Sequence, residues 1–179
     1  MLNVGNAKVD PNNPNAPLPS LNTELEASFD GGGGNDTILI GLLNVALSNP
    51  SQIVASGGDG NDRILIGMLN VAHPGGMNIV ADGGAGNDEL SLNFRGQLIG
   101  KLDVTLDGEE GNDAIDAVFN LVGQSDGTLN ATVNGGSGND KLRLMFFGAR
   151  PQGKLTVDGG TGKDTCQASP GVTVVNCEK

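Results

Sequence analysis

The chain has 179 residues, a formal charge of −11, 30 glycines and neither Trp nor Tyr. That length suits one domain with a core of its own. An acidic chain without a basic stripe or aromatic platforms is no nucleic-acid binder. No apolar run is long enough to span a bilayer.

In chain order, residues 1–20 come first and are rich in Pro and Asn ("DPNNPNAPLPS"). They read as an extended arm or linker. They lack the apolar stretch of a signal peptide, so an export signal is expected to be removed or absent. Residues 21–179 then repeat one unit. Gly-rich turns end at Asp36 ("GGGGND"), Asp62 ("GGDGND"), Asp88 ("GGAGND"), Asp113 ("GEEGND"), Asp140 ("GGSGND") and Asp164 ("GGTGKD"), at spacings of 26, 26, 25, 27 and 24. Of the 21 acidic residues, 13 lie in these turns or just before them, a concentration that a merely solvated surface does not need. A fixed period of this size predicts stacked repeats.

After each turn comes an alternating apolar run. Two residues past the Asp stand Ile38, Ile64, Leu90, Ile115, Leu142 and Cys166, and the sixth position holds Leu42, Met68, Phe94, Phe119 and Phe146. Before each turn a second run alternates, with Ile53, Ile79, Val104, Ala131 and Leu155 on its inner face and Thr105, Thr132 and Thr156 facing out. Period-two apolarity predicts strands with one buried face. Frequent Gly and Pro, with no 3.6-residue stripe, exclude helices. Each repeat therefore reads strand, variable loop, strand, turn. Stacked in register, the repeats predict an all-β, right-handed parallel β-solenoid of about six coils, its turns aligned along one edge.

Coils stack about 4.8 Å apart. Adjacent aspartates in such a column repel by roughly 3–4 kcal/mol at an effective dielectric near 20. Divalent cations between the turns reverse the sign of that term. A donor set of carboxylates and backbone carbonyls, without His or Cys, suits a hard ion. Carbonyl-rich glycine loops suit calcium better than magnesium.

These turns, GGxGND before an x-L-x strand, resemble the calcium-binding nonapeptide of repeats-in-toxin proteins, whose parallel β-rolls hold Ca2+ between stacked turns. That family repeats every nine residues and has turns on both edges. This chain repeats near 26, so turns are expected on one edge only. "GEEGND" has Glu109 for the second Gly, and "GGTGKD" has Lys163 for Asn. The resemblance implies Ca2+ ligands at the turn-ending Asp36, Asp62, Asp88, Asp113, Asp140 and Asp164, and at the first-position Gly31, Gly57, Gly83, Gly108, Gly135 and Gly159. We extend the set to the third position (Gly33, Asp59, Ala85, Glu110, Ser137, Thr161) and to the residue before the turn (Asp30, Asp82, Asp107, Asn134, Asp158). The family's activities lie mostly outside its rolls and do not carry over.

No catalytic constellation stands out. The single histidine, His73 in "AHPGG", is expected to be a solvated loop residue. Lys101, Asp103, Asp116 and Arg95 read as a solvated face, although such groups on a β-helix could serve a polysaccharide lyase or epimerase. "ILIGLLNVA" and "ILIGMLNVA" place Leu39, Leu43, Leu65 and Leu69 outward. That patch needs a cover, either the N-terminal segment with Leu2, Val4, Val9 and Leu18 or another copy of the chain. Cys166 and Cys177 predict a disulfide that clasps the last coil, and with it an oxidising compartment. The expectation is an extracellular, calcium-stabilised structural or interaction solenoid, not an enzyme. It could also associate with itself through its first coils. The alternative is an accessory module or small enzyme acting on extracellular polysaccharide.

Overall fold

The computed structural model describes residues 2–4, 20–21 and 24–178. The described residues contain no helix. Their strands are β1 (Leu2–Val4), β2 (Ser20–Leu21), β3 (Glu26–Asp30), β4 (Thr37–Leu47), β5 (Ser51–Asp59), β6 (Arg63–Ala72), β7 (Met77–Ala85), β8 (Glu89–Gly96), β9 (Lys101–Asp107), β10 (Ala114–Leu121), β11 (Thr128–Asn134), β12 (Ser137–Gly138), β13 (Lys141–Phe147), β14 (Leu155–Asp158), β15 (Thr161–Gly162), β16 (Thr165–Ala168) and β17 (Thr173–Val175). They build a parallel β-solenoid of about six coils. One sheet runs β1-β4-β6-β8-β10-β13-β16, with β2 also on β4, and the facing sheet runs β3-β5-β7-β9-β11-β14-β17.

The register is the one the repeat dictates. Ile38 pairs with Ile64, Ile64 with Leu90, Leu90 with Ile115, Ile115 with Leu142 and Leu142 with Cys166. A one-residue slip would turn every core side chain to solvent. The core lies between the sheets. Phe94 and Phe119 are fully buried with ring centroids 6.4 Å apart, and Ile53, Ile79, Val104, Ala131 and Leu155 close the facing side. Each large apolar side chain buried this way contributes about 1.5–3 kcal/mol.

The first two coils differ from the rest. β4 and β6 are 11 and 10 residues long, because each bends at an asparagine in the left-handed region, Asn44 (φ 50°) and Asn70 (φ 52°). Asparagine tolerates that conformation where most residues do not. The bend changes the parity, so Val45 and Val71 point inward after it. The side chains also pair, Asn70 Nδ2 donating to Asn44 Oδ1 at 3.0 Å. On the outer face Leu39, Leu43, Leu65 and Leu69 rise beside Gly41 and Gly67, forming an open trough of about 600 Å³. The free edge of β4 is taken by this chain: Leu2 pairs with Ile40, Val4 with Leu42 and Ser20 with Ala46. Val9 and Leu18 lie outside the described residues.

His73 corrects an expectation. It is fully buried rather than solvated. Its ring stacks on Phe94, its Nδ1 meets the Ile99 carbonyl of the next coil, and its Nε2 is buried without a partner. Burial holds its pKa below the ordinary value. The expected disulfide is present, joining Cys166 to Cys177 with Cα atoms 5.9 Å apart.

Candidate functional site

All six turns sit on one edge of the stack. Their fourth position is Gly throughout, at φ of 107–142°, beyond the left-handed well that other residues can enter. From the second turn onward a Cβ there would also strike the backbone: on Gly60 it would lie 2.0 Å from the Gly34 carbonyl oxygen. The second position is also confined, with Gly58 at φ 99° and its Cβ position 2.0 Å from the Gly32 carbonyl oxygen, but a small backbone shift admits a side chain. Glu109 occupies it at φ 69°, within that well, which is why "GEEGND" keeps the same turn. Between turns, the third-position amide donates to the second-position carbonyl of the preceding coil, as from Asp59 to Gly32 and from Thr161 to Gly136 (both 2.8 Å). The turns are thus a third, narrow ladder joining the two sheets.

Each turn ends in two side-chain ladders. The outer one is amide. The backbone N–H groups of Asn61, Asn87, Asn112, Asn139 and Lys163 donate to the Asn Oδ1 of the preceding coil at 2.7–3.0 Å. The inner ladder is acidic and runs the other way. Asp36, Asp62, Asp88, Asp113 and Asp140 donate their N–H to the Asp Oδ1 of the following coil at 2.6–2.9 Å. Sequence reasoning assigned the asparagines no role. Their ladder also explains Lys163, since the last turn has only to donate its N–H backward.

The acidic ladder is buried. Asp62, Asp88, Asp113, Asp140 and Asp164 are 1–3 % exposed. In all five, Oδ2 is buried with no hydrogen-bond partner, a placement that costs several kcal/mol for an isolated charge. Each Oδ2 faces the bare Cα of the first glycine of its own turn. A Cβ on Gly57 would lie 2.5 Å from both Asp62 Oδ2 and the Gly83 carbonyl oxygen of the next coil, and Gly108 and Gly135 are enclosed by the same pair of atoms. The first glycine is therefore required by the carboxylate and by the carbonyl of the next coil. Burial, and next the charges of Asp140, Asp88 and Asp107, push the Asp113 carboxyl from 3.8 up to about 7, against the lowering effect of its bond from the Asp88 N–H. Asp88 and Asp140 are raised for the same first reason.

The other expected ligands fall into two outer columns. Before the turn stand Asp30, Ser56, Asp82, Asp107, Asn134 and Asp158. This column is partly self-satisfied, since Asp107 accepts from Asn134 Nδ2 at 3.0 Å and Asp158 from Asn176 Nδ2 at 2.8 Å. Asp82 Oδ1 is buried without a partner, and burial, then Asp107, raises its pKa. At the third position, the carbonyls of Asp59, Ala85, Glu110 and Ser137 each accept the fourth-position N–H of the preceding coil at 2.7–2.8 Å, and their second lone pair is left over.

Among the described residues no three His, Cys, Asp or Glu side chains converge as a metal cluster. A cation here would draw on carboxylate oxygens from the ladder and on backbone carbonyls. The charged groups weighed as a catalytic face are divided. Lys101 and Asp103 pair at 2.7 Å on β9, whereas Asp116 and Arg143 pair at 2.7 Å on β10 and β13 of the facing sheet. Arg95, on β8, lines the far end of the Leu trough. Comparison with known proteins returned no matching family model, no matching characterised sequence and no matching solved structure.

Proposed function

We propose that the chain is an extracellular β-solenoid that takes up Ca2+ along its turn edge and serves a structural or interaction role. One observation carries this reading: the column of buried carboxylates whose Oδ2 atoms have no partner. In neutral water such a column must bind protons or cations. The donor set is all oxygen, flexible in the glycine turns and rich in carbonyls, which suits Ca2+. Asp36, Asp62, Asp88, Asp113, Asp140 and Asp164 would supply the carboxylates, and first- and third-position carbonyls the remaining donors. When bound, the ion supplies positive charge that offsets repulsion along the column. The residues themselves orient the carboxylates through the Oδ1 bonds and exclude water. The Cys166–Cys177 disulfide fits an oxidising compartment, where calcium is also abundant. A thermal melt followed by far-UV circular dichroism, with and without chelator, tests the reading. Loss of the β-signal at a much lower temperature on chelation and its recovery with millimolar calcium are expected. An unchanged melt, in protein proved metal-free by elemental analysis, overturns it.

A further inference from the structure

The two ladders have opposite needs at the end of the stack. The amide ladder looks backward, so the last turn needs no asparagine. The acidic ladder looks forward, so Asp164 needs an acceptor from a coil beyond it. Residues 165–178 hold no further Gly-rich turn.

Residues 175–178 fill that place. Gly159 N–H donates to the Val175 carbonyl at 3.0 Å, as Gly135 N–H does to Asp158 at 2.9 Å. Val175 thus stands where a pre-turn residue would, and Asn176 where a first glycine would. The Asn176 carbonyl indeed encloses the bare Cα of Gly159 together with Asp164 Oδ2, as the Gly83 carbonyl does with Asp62 Oδ2 on Gly57. Glu178 N–H then donates to the Asp164 carbonyl at 2.9 Å, as Arg63 N–H does to Asp36. Cys177 alone spans what residues 160–164 span in the turn before it. The missing acid is supplied by Glu178, whose Oε2 accepts the Asp164 N–H. Its backbone sits one residue past the Asp position, and its extra methylene lets the carboxylate reach back. The cystine with Cys166 fixes Cys177 between these two contacts. Asp164 Oδ2, in a residue 1 % exposed, is one of the unpartnered buried oxygens.

We propose that residues 176–178 are a surrogate turn that completes one more cation site. Glu178 supplies the carboxylate, Asn176 the carbonyl and Asp164 the facing acid, and the disulfide holds the segment in place. This rests on the calcium reading of the turn edge. The test is the number of Ca2+ ions held by the oxidised full chain, counted by native mass spectrometry and by isothermal titration. Glu178→Gln keeps an acceptor for the Asp164 N–H but removes the charge. The Cys166→Ser, Cys177→Ser double variant keeps every ligand but frees the segment. Each is expected to hold one ion fewer than wild type, the other sites retaining their affinity. An unchanged count in both variants, or the loss of all sites together, overturns the proposal while the calcium reading stands. A wild-type chain that binds no Ca2+ removes both.

Discussion

The two side-chain ladders on the turn edge do the same hydrogen-bonding work with different chemistry. Asn35, Asn61, Asn87, Asn112 and Asn139 accept backbone N–H groups with neutral, exposed amides. One residue along the chain and inward, the aspartates accept equivalent N–H groups with buried carboxylates. Asparagine would satisfy those bonds equally well, without burying a charge. The acid is therefore not explained by the bond it makes through Oδ1. What distinguishes the inner ladder is Oδ2, and Oδ2 has no partner in the chain.

The sharpest way to break this comparison is to remove calcium. At a hundredfold excess over Kd, each ion adds about 2.7 kcal/mol to folding, so several sites exceed the stability of an ordinary domain. We expect chelation to lower Tm by tens of degrees in a thermal melt followed by circular dichroism. Breakage of the cystine comes next. Reduction should cost about 2–3 kcal/mol in the chain-entropy model, read as an earlier midpoint in a urea titration.

Turning an inner residue into an outer one separates charge from hydrogen bond. Asp113→Asn should stabilise the chelated protein by about 2 kcal/mol at pH 7.5 and weaken its response to added calcium. A variant less stable than wild type in chelator would mean that the carboxylate was not the burden.

Proton binding gives the same contrast without mutation. Asp113 titrates near 7 in the folded chain, and Asp88, Asp140 and Asp82 are also raised. Raised carboxylates favour folding below the ordinary value of 3.8, and that advantage fades as pH climbs through about 7. His73 works oppositely, because its lowered pKa withdraws stability once pH falls below 6.5. Between pH 5.5 and pH 8 Asp113 titrates inside the interval, whereas the imidazole acts only below 6.5, so the chelated chain should melt higher at the lower pH. Calcium should flatten or invert that slope. The smallest effect belongs to the amide ladder. Asn87→Ala should cost about 1 kcal/mol and leave calcium affinity unchanged in a calorimetric titration.

Much of this was legible in the chain. The 26-residue period and its two alternating runs fixed both sheets and their register, down to Phe94 over Phe119. The cystine followed from the position of Cys166 on the inner face. The turn-ending aspartates stood out because the same acid recurs at the same offset. What escaped had no chemical mark of its own: the turn asparagines recur with the period but read as ordinary turn residues. The burial of His73 depends on a carbonyl 26 residues downstream, at Ile99, and its local "AHPGG" reads as loop. Asn44 and Asn70 lie inside apolar runs, and only their left-handed backbone reveals that the strands continue beyond them. Glu178 occupies an acidic place without any glycine turn around it, so pattern-matching passes it over.

The direction of the acidic ladder also gives the stack a polarity of growth. Its last turn presents an N–H donor where the first presents an acceptor, so the two faces of a stack are complementary and could in principle extend without limit. Glu178 and the cystine occupy the growing face. Any further coil, from this chain or another, would have to evict that glutamate from the Asp164 amide and open a covalent bond before the first new rung could form.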